Sequence, residues 1–182
     1  MILKNIKEKN VKERIKEYFF VNPTAKLRVR HIESTLKLSL PSVIRYCKEL
    51  EQERILTTVK TGNVVFYTAN RADENYILEK KLFNIRQIYK SGLVEYIKKT
   101  LNNPPVILFG SYAKGEDTEA SDIDLYIETL SKKNIALERF EKILQRKIQV
   151  FKYRKIKDIP NIYLANNIIN GITLNNYVEV FT

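Results

Sequence analysis

The chain has 182 residues, 44% of them apolar, with 32 Lys and Arg against 21 Asp and Glu. That length holds one large domain or two small ones, and the single cysteine, Cys47, excludes an internal disulfide and, with only His31 beside it in the inventory, a Cys/His zinc site. No stretch is apolar for the length of a membrane helix and the first residues lack an apolar core with a cleavage site, so a cytoplasmic protein with no membrane association is expected.

The formal charge of +11 is unevenly spread: residues 1–60 hold 14 Lys or Arg and 7 acids, residues 61–105 hold 7 and 4, and residues 106–182 hold 11 and 10. A basic N-terminal surface attracts phosphate backbones, although lysine-rich solubility gives the same signature. Val11, Ile15 and Phe19 mark one face of a first helix that stops near Asn22-Pro23. A second short helix is expected over 28–37, with Val29, Ile32 and Leu36 inward. Ser39-Leu40-Pro41 opens a third, serine as cap and proline in the first turn, with Val43, Ile44, Cys47 and Leu50 on its apolar side. Its other face shows Ser42, Arg45, Tyr46, Lys48 and Glu49. Strands over 55–59 and 64–68, joined by a turn at Lys60-Thr61-Gly62-Asn63, read as a β-hairpin.

Three helices followed by a hairpin over about residues 10–70 resemble a winged helix-turn-helix domain. The resemblance implies that double-stranded DNA is met by Ser42, Arg45, Tyr46 and Lys48 of the third helix and by Lys60 and Asn63 at the wing tip. Winged helices also serve as dimerisation or protein-docking modules, and that alternative stays open here. The domain is expected over 1–72, with a helical linker over 73–90. There Ile77, Leu78, Leu82, Ile85, Ile88 and Tyr89 recur at helical spacing; Gly92 interrupts, and Leu93, Val94, Ile97 and Leu101 resume until Asn102-Asn103-Pro104-Pro105. Such a helix suits a homodimer, since readers of this kind commonly use two half-sites.

The residues richest in chemistry follow. Pro105-Val106-Ile107-Leu108-Phe109 reads as a buried strand ending on Gly110-Ser111, where glycine lets a ligand approach the backbone and serine adds a hydroxyl. A short helix is expected over 112–115. A second strand, 122–127, sets Asp122 and Asp124 on one face and Ile123 and Leu125 on the other. Two adjacent carboxylates repel, and a divalent cation such as Mg²⁺ is the usual remedy.

Gly-Ser, ten residues, then Asp-x-Asp resembles the signature of the polymerase-β-like nucleotidyltransferases, most of all the minimal ones, over about residues 91–182. The resemblance implies an α+β architecture with a small mixed sheet flanked by helices. It also implies that Gly110 and Ser111 hold the phosphates of a nucleoside triphosphate, and that Asp122 and Asp124 bind Mg²⁺ or Mn²⁺ and are catalytic. A third carboxylate is expected on a neighbouring strand, and the chain departs from the pattern there. After a helix carrying Ile135, Phe140, Ile143 and Leu144, the strand over 146–151 has Gln149 at that position. An amide offers a metal one neutral oxygen but cannot accept a proton from an attacking hydroxyl. The alternative is a shifted register in which Glu128, Asp158 or Glu179 is the third acid.

Lys152, Arg154, Lys155 and Lys157 form a basic run expected beside the cleft, either gripping nucleic acid or triphosphate or merely solvating a strand end. A helix over 161–171 with Gly171 as its stop and a last strand over 173–181 complete the chain. Two functions are compatible with these features. One is an Mg²⁺-dependent transferase that moves a nucleoside monophosphate from an NTP to a hydroxyl, with a DNA-binding domain attached. The other is a catalytically impaired DNA-binding regulator, or an antitoxin-type protein acting on a toxin-like partner, that keeps the transferase domain for nucleotide sensing or partner binding.

Overall fold

The computed structural model describes residues 2–180, with side chains from residue 11 onward. The chain divides into two compact units, residues 1–80 and 81–182, and the division falls inside the stretch read as a linker.

In the first unit α1 (Ile2–Val21) is followed by β1 (Lys26–Leu27), α2 (Val29–Leu36), α3 (Leu40–Gln52) and the hairpin β2 (Leu56–Thr61) and β3 (Val64–Ala69). Thr61 pairs with Val64, so the hairpin turns on Gly62 and Asn63, and Gly62 at φ +59° takes the conformation that a two-residue turn demands. The two-residue β1 adds a third strand, in the order β1-β3-β2, that sequence periodicity did not indicate. Ile15, Phe19, Ile32, Val43, Cys47 and Leu50 are fully buried, as their spacing required. Burial pushes the Cys47 thiol up to about 12, which leaves it an inert core residue. Two positions of α3 trade places against expectation. Tyr46 is buried and Ile44 is 39% exposed, because Val43, Tyr46, Cys47 and Leu50 fall at three, four and seven residues and form the one continuous stripe.

A helix, α4 (Glu74–Lys90), runs across the division, and α5 (Leu93–Leu101) follows after Gly92, which adopts φ +77°. The second unit is built on a four-stranded sheet in the order β6-β5-β4-β7, from β4 (Val106–Phe109), β5 (Ile123–Glu128), β6 (Ile148–Tyr153) and β7 (Ile172–Asn175). It is mixed: β4 runs antiparallel to both β5 and β7, and β5 runs parallel to β6. Both faces are covered. Val106, Leu108, Ile123, Leu125, Ile127 and Ile148 pack with α5 and with α7 (Glu138–Leu144). Ile107, Phe109 and Tyr126 pack against a 3-10 turn (Ile156–Asp158) and α8 (Ile162–Ile169). The alternation along β4 and β5 is the period of two expressed on a sheet with apolar layers on each side.

Three details of this unit differ from the sequence reading. Ile135 packs on the core from outside α7, and Ile143 is 60% exposed. α8 ends at Ile169 under an Asn170 cap, and Gly171 is not in the left-handed region. A Cβ there would lie 2.6 Å from both Ile107 Cγ2 and the Leu108 carbonyl, so this glycine permits close packing on β4 instead of ending the helix. The final strand stops at Asn175; of the predicted span, 181 lies outside the described residues.

Candidate functional site

β4 ends at Phe109, extended, and Gly110 turns the chain at φ +74° into the short helix α6 (Gly110–Lys114), which Gly115 closes at φ +78°. Phe109 pairs with Asp124 across the β4–β5 ladder. Gly110 therefore lies against the Asp124 side chain: a Cβ at 110 would collide with one carboxylate oxygen and approach Cγ to 3.2 Å. Pattern and geometry converge here, since the glycine of the Gly-Ser turn leaves the space that the second aspartate fills. The return loop is shaped by its own hydrogen bonds. The Glu116 N–H donates to the Ser111 carbonyl at 3.0 Å, and Ser121 Oγ accepts from the Thr118 N–H at 2.9 Å.

Asp122 immediately precedes β5 and is exposed, whereas Asp124 is half-buried within it. The Asp124 carboxyl is raised above the ordinary aspartate range, first by burial and then by the negative charge of Asp122. On β6, Gln149 is the register partner of Asp124. Ile148 and Val150 belong to one face of the sheet and Phe151 and Tyr153 to the other, so alternation puts exposed Gln149 on the face that carries Asp124. The amide thus stands where a third carboxylate would complete the pair. The alternative acids lie elsewhere. Glu128 lies four residues along the strand, about 13 Å away at the usual rise, and accepts from the Tyr126 hydroxyl at 2.9 Å and the Ile156 N–H at 3.1 Å. Asp158 accepts from the Lys155 N–H at 3.1 Å, and Glu179 is in the exposed tail after β7. Among the described residues no group of three or more His, Cys, Asp or Glu side chains gathers into a metal cluster.

The basic run is not beside these carboxylates. Because β6 is parallel to β5, Lys152 pairs with Ile127 and Arg154, Lys155 and Lys157 follow beyond the far end of the strand. Lys152 Nζ donates to the Lys133 carbonyl at 2.6 Å. The cations near Asp122 are others. An open cleft of about 620 Å³ between Glu119–Asp122 and the α7–β6 turn is bordered by Lys142, Arg146 and Lys147. Sequence reasoning had no means of singling them out, since only the parallel crossover carries the end of α7 to the start of β5.

A family model described as "Polymerase beta, Nucleotidyltransferase" matches residues 91–177. The chain is also 33% identical over 96 residues to the "Putative protein adenylyltransferase" of Methanocaldococcus jannaschii, a match covering 49% of this chain and 92% of that protein. The chain belongs to the polymerase beta nucleotidyltransferases. No solved structure matches it. As a member of this family it carries the Gly-Ser turn and the Asp-x-Asp pair at the meeting of β4, α6 and β5, and the matched region lies within the second unit. The donor set fits one divalent cation: Asp122 and Asp124 supply two hard anionic oxygens, and Asp124, raised first by burial and then by the Asp122 charge, is a carboxylate whose ionised form such a cation would favour.

The residues read as DNA contacts lie in the other unit of this nucleotidyltransferase. Arg45, Lys48, Lys60 and Asn63 are exposed and Ser42 is half-buried, its Oγ accepting from Ser39 Oγ at 2.7 Å. Arg45 Nε donates to Glu49 at 3.0 Å, and its guanidinium carbon lies 5.0 Å from the Tyr46 ring centre. Tyr46, buried at 5% exposure, supports the arginine from beneath and presents no surface of its own. No helix among the described residues is long and apolar enough to cross a membrane.

Proposed function

We propose that the second unit transfers a nucleoside monophosphate, in the first instance adenylate, from an NTP to a hydroxyl on a protein acceptor. The observation that carries this reading is the contact of Gly110 with Asp124, which joins phosphate turn and carboxylates in one site. Asp122 and Asp124 would hold Mg²⁺ or Mn²⁺, which when bound supplies Lewis-acid stabilisation of the charge that develops on the phosphoryl oxygens. Gly110 leaves the backbone open to the triphosphate and Ser111 contributes a hydroxyl. The acceptor oxygen forms a bond to the α-phosphorus, the bond to the β-phosphate bridge breaks, and pyrophosphate leaves with that electron pair. Gln149 cannot take the acceptor's proton, which passes to water. The choice of adenylate and of a protein acceptor rests on the similarity to the archaeal adenylyltransferase. The direct test incubates the chain with Mg²⁺ or Mn²⁺ and each labelled NTP, with Asp122→Asn as the control. Label transfer that the variant lacks is expected, and absence of both transfer and metal-dependent nucleotide binding would remove the reading.

The neutral amide at 149 makes a prediction of its own. Gln149→Asp restores a carboxylate opposite Asp124, and single-turnover transfer should accelerate about tenfold to a hundredfold, with a rate that rises as the new acid ionises. A rate unchanged by the substitution would show that proton removal does not limit transfer.

For the first unit we propose a winged helix-turn-helix that docks on double-stranded DNA through α3 and the β2–β3 turn. The excess of 14 basic over 7 acidic residues within 1–60, together with exposed Arg45, Lys48, Lys60 and Asn63, supports this reading. A homodimer on two half-sites is the arrangement proposed. Retention of a duplex should weaken steeply as salt rises, and Lys48→Ala with Lys60→Ala should lower the slope by about 2. Loss of DNA retention together with intact nucleotide transfer would leave a pure transferase. The reverse result would favour the regulator or antitoxin reading, with Gln149 as the cause of lost turnover.

A further inference from the structure

The loop between the Gly110-Ser111 turn and Asp122 is not held by backbone hydrogen bonds alone. Asp117, midway along it, is buried at 1% exposure. Its Oδ1 accepts from Asn84 Nδ2 at 2.7 Å and its Oδ2 lies 3.8 Å from Arg146 Nη2, whose side chain is 6% exposed. Asn84 Nδ2 also donates to the Tyr112 carbonyl at 2.9 Å, one residue after Ser111. Arg146 precedes Lys147, whose carbonyl accepts from the Ile123 N–H at 2.8 Å, between the two aspartates. Polar contacts thus run from α4 to α6, to the loop, to the end of α7 and back to the start of β5.

Burial of an ion pair is a poor way to gain stability, because desolvation of both charges offsets their attraction and an apolar pair of equal volume serves as well or better. What such a pair can supply, as it does in some proteins, is one specified arrangement of the segments it joins. We propose that Asp117, Arg146 and Asn84 are positioning residues that set the distance between the phosphate turn and Asp122. This inference rests on the transferase reading for its functional consequence, whereas the clamp itself is measurable without it.

The experiment compares the full chain with the double variant Asp117→Leu, Arg146→Met, which keeps volume while removing the polar clamp. Amide hydrogen exchange across residues 115–123 and single-turnover ATP transfer with Mg²⁺ are both read. The variant should melt near the unaltered protein, exchange in the loop should quicken about tenfold, and kcat should fall roughly tenfold to a hundredfold with KM for ATP within about threefold. A folded variant with unaltered loop exchange and unaltered kcat overturns the proposal, as does a loss confined to melting temperature. Should the double variant not fold, Asn84→Leu, which removes the donor shared by the Asp117 carboxylate and the Tyr112 carbonyl, is read by loop exchange and kcat in the same way. If the unaltered protein transfers nothing with any NTP, the transferase reading fails, and loop exchange alone then decides the clamp.

Discussion

Gly110→Ala should abolish metal-dependent nucleotide binding and cost the protein more stability than alanine at Gly62 or Gly92. The φ of +74° alone costs an L-residue about 1–2 kcal/mol. Gly62 at φ +59° and Gly92 at φ +77° carry the same conformational cost, but a Cβ at either meets nothing within 4 Å. At Gly110 it meets the Asp124 carboxylate, with Cγ at 3.2 Å and Cβ at 3.5 Å, so either β5 or the side chain must shift. Relief through β5 would move the fully buried Ile123 and Leu125, and relief through the side chain swings the Asp124 carboxylate away from the turn, which costs the site its apposition. Denaturant titration of the three alanine variants separates the two effects. Gly62→Ala and Gly92→Ala report backbone strain, and the excess loss in Gly110→Ala reports the collision. If the Gly110 variant loses no more than the others and still binds nucleotide, the apposition of turn and carboxylate is not what the site depends on.

The turn and the carboxylate pair proposed as this site lie at element ends that are locally encoded. The run Val106–Phe109 stops at a glycine, and the alternation around Asp124 separates carboxylates from Ile123 and Leu125 without knowledge of what lies across the sheet. The position of Gln149 was legible for the same reason, and the β5–β6 register now pairs it with Asp124. Long-range properties were not legible. β1 is two residues whose pairing with Thr68 and Tyr67 spans some forty positions, too short to leave a periodic trace. The basic run after Lys152 falls at the wrong end of the sheet only because β6 is parallel to β5, a fact set by the crossover. Asp117 and Arg146 look like ordinary surface charges in sequence, and only the tertiary fold buries them together. Tyr46 is a different sort of error. The stripe Val43, Tyr46, Cys47 and Leu50 was present in the sequence, but ranking isoleucine above tyrosine for burial placed Ile44 on the wrong side. The winged-helix reading of the first unit stays a proposal, supported by three helices, a three-stranded sheet and exposed basic residues on α3 and the hairpin.

Asp124→Asn should cut transfer steeply and, without metal, make the protein more stable. The two outcomes have one cause. Burial and the adjacent charge of Asp122 raise the Asp124 carboxyl, so the folded state binds its proton more tightly than the unfolded chain does. Folding is therefore helped by this group below the unfolded aspartate range near 3.8, and that help is lost as pH rises through the higher folded value. At neutral pH the ionised carboxylate is a standing cost to the metal-free protein, which an isosteric amide removes. Metal-free Asp124→Asn should accordingly melt above the unaltered protein at pH 7, with the difference shrinking as pH falls through the folded value and vanishing by about pH 3. Mg²⁺ should reverse the order. A cation at ten times its dissociation constant stabilises the unaltered chain by about 1.4 kcal/mol, whereas the variant, with one anionic ligand left, should respond weakly. Transfer in the variant should fall roughly a hundredfold or more, the usual consequence of removing one preorganised electrostatic partner at the reacting phosphate. Melting curves at about pH 3 and pH 7, each with and without Mg²⁺, distinguish a metal-binding carboxylate from one that merely caps the strand. A capping role predicts destabilisation at pH 7 and no difference between the proteins in their response to the cation.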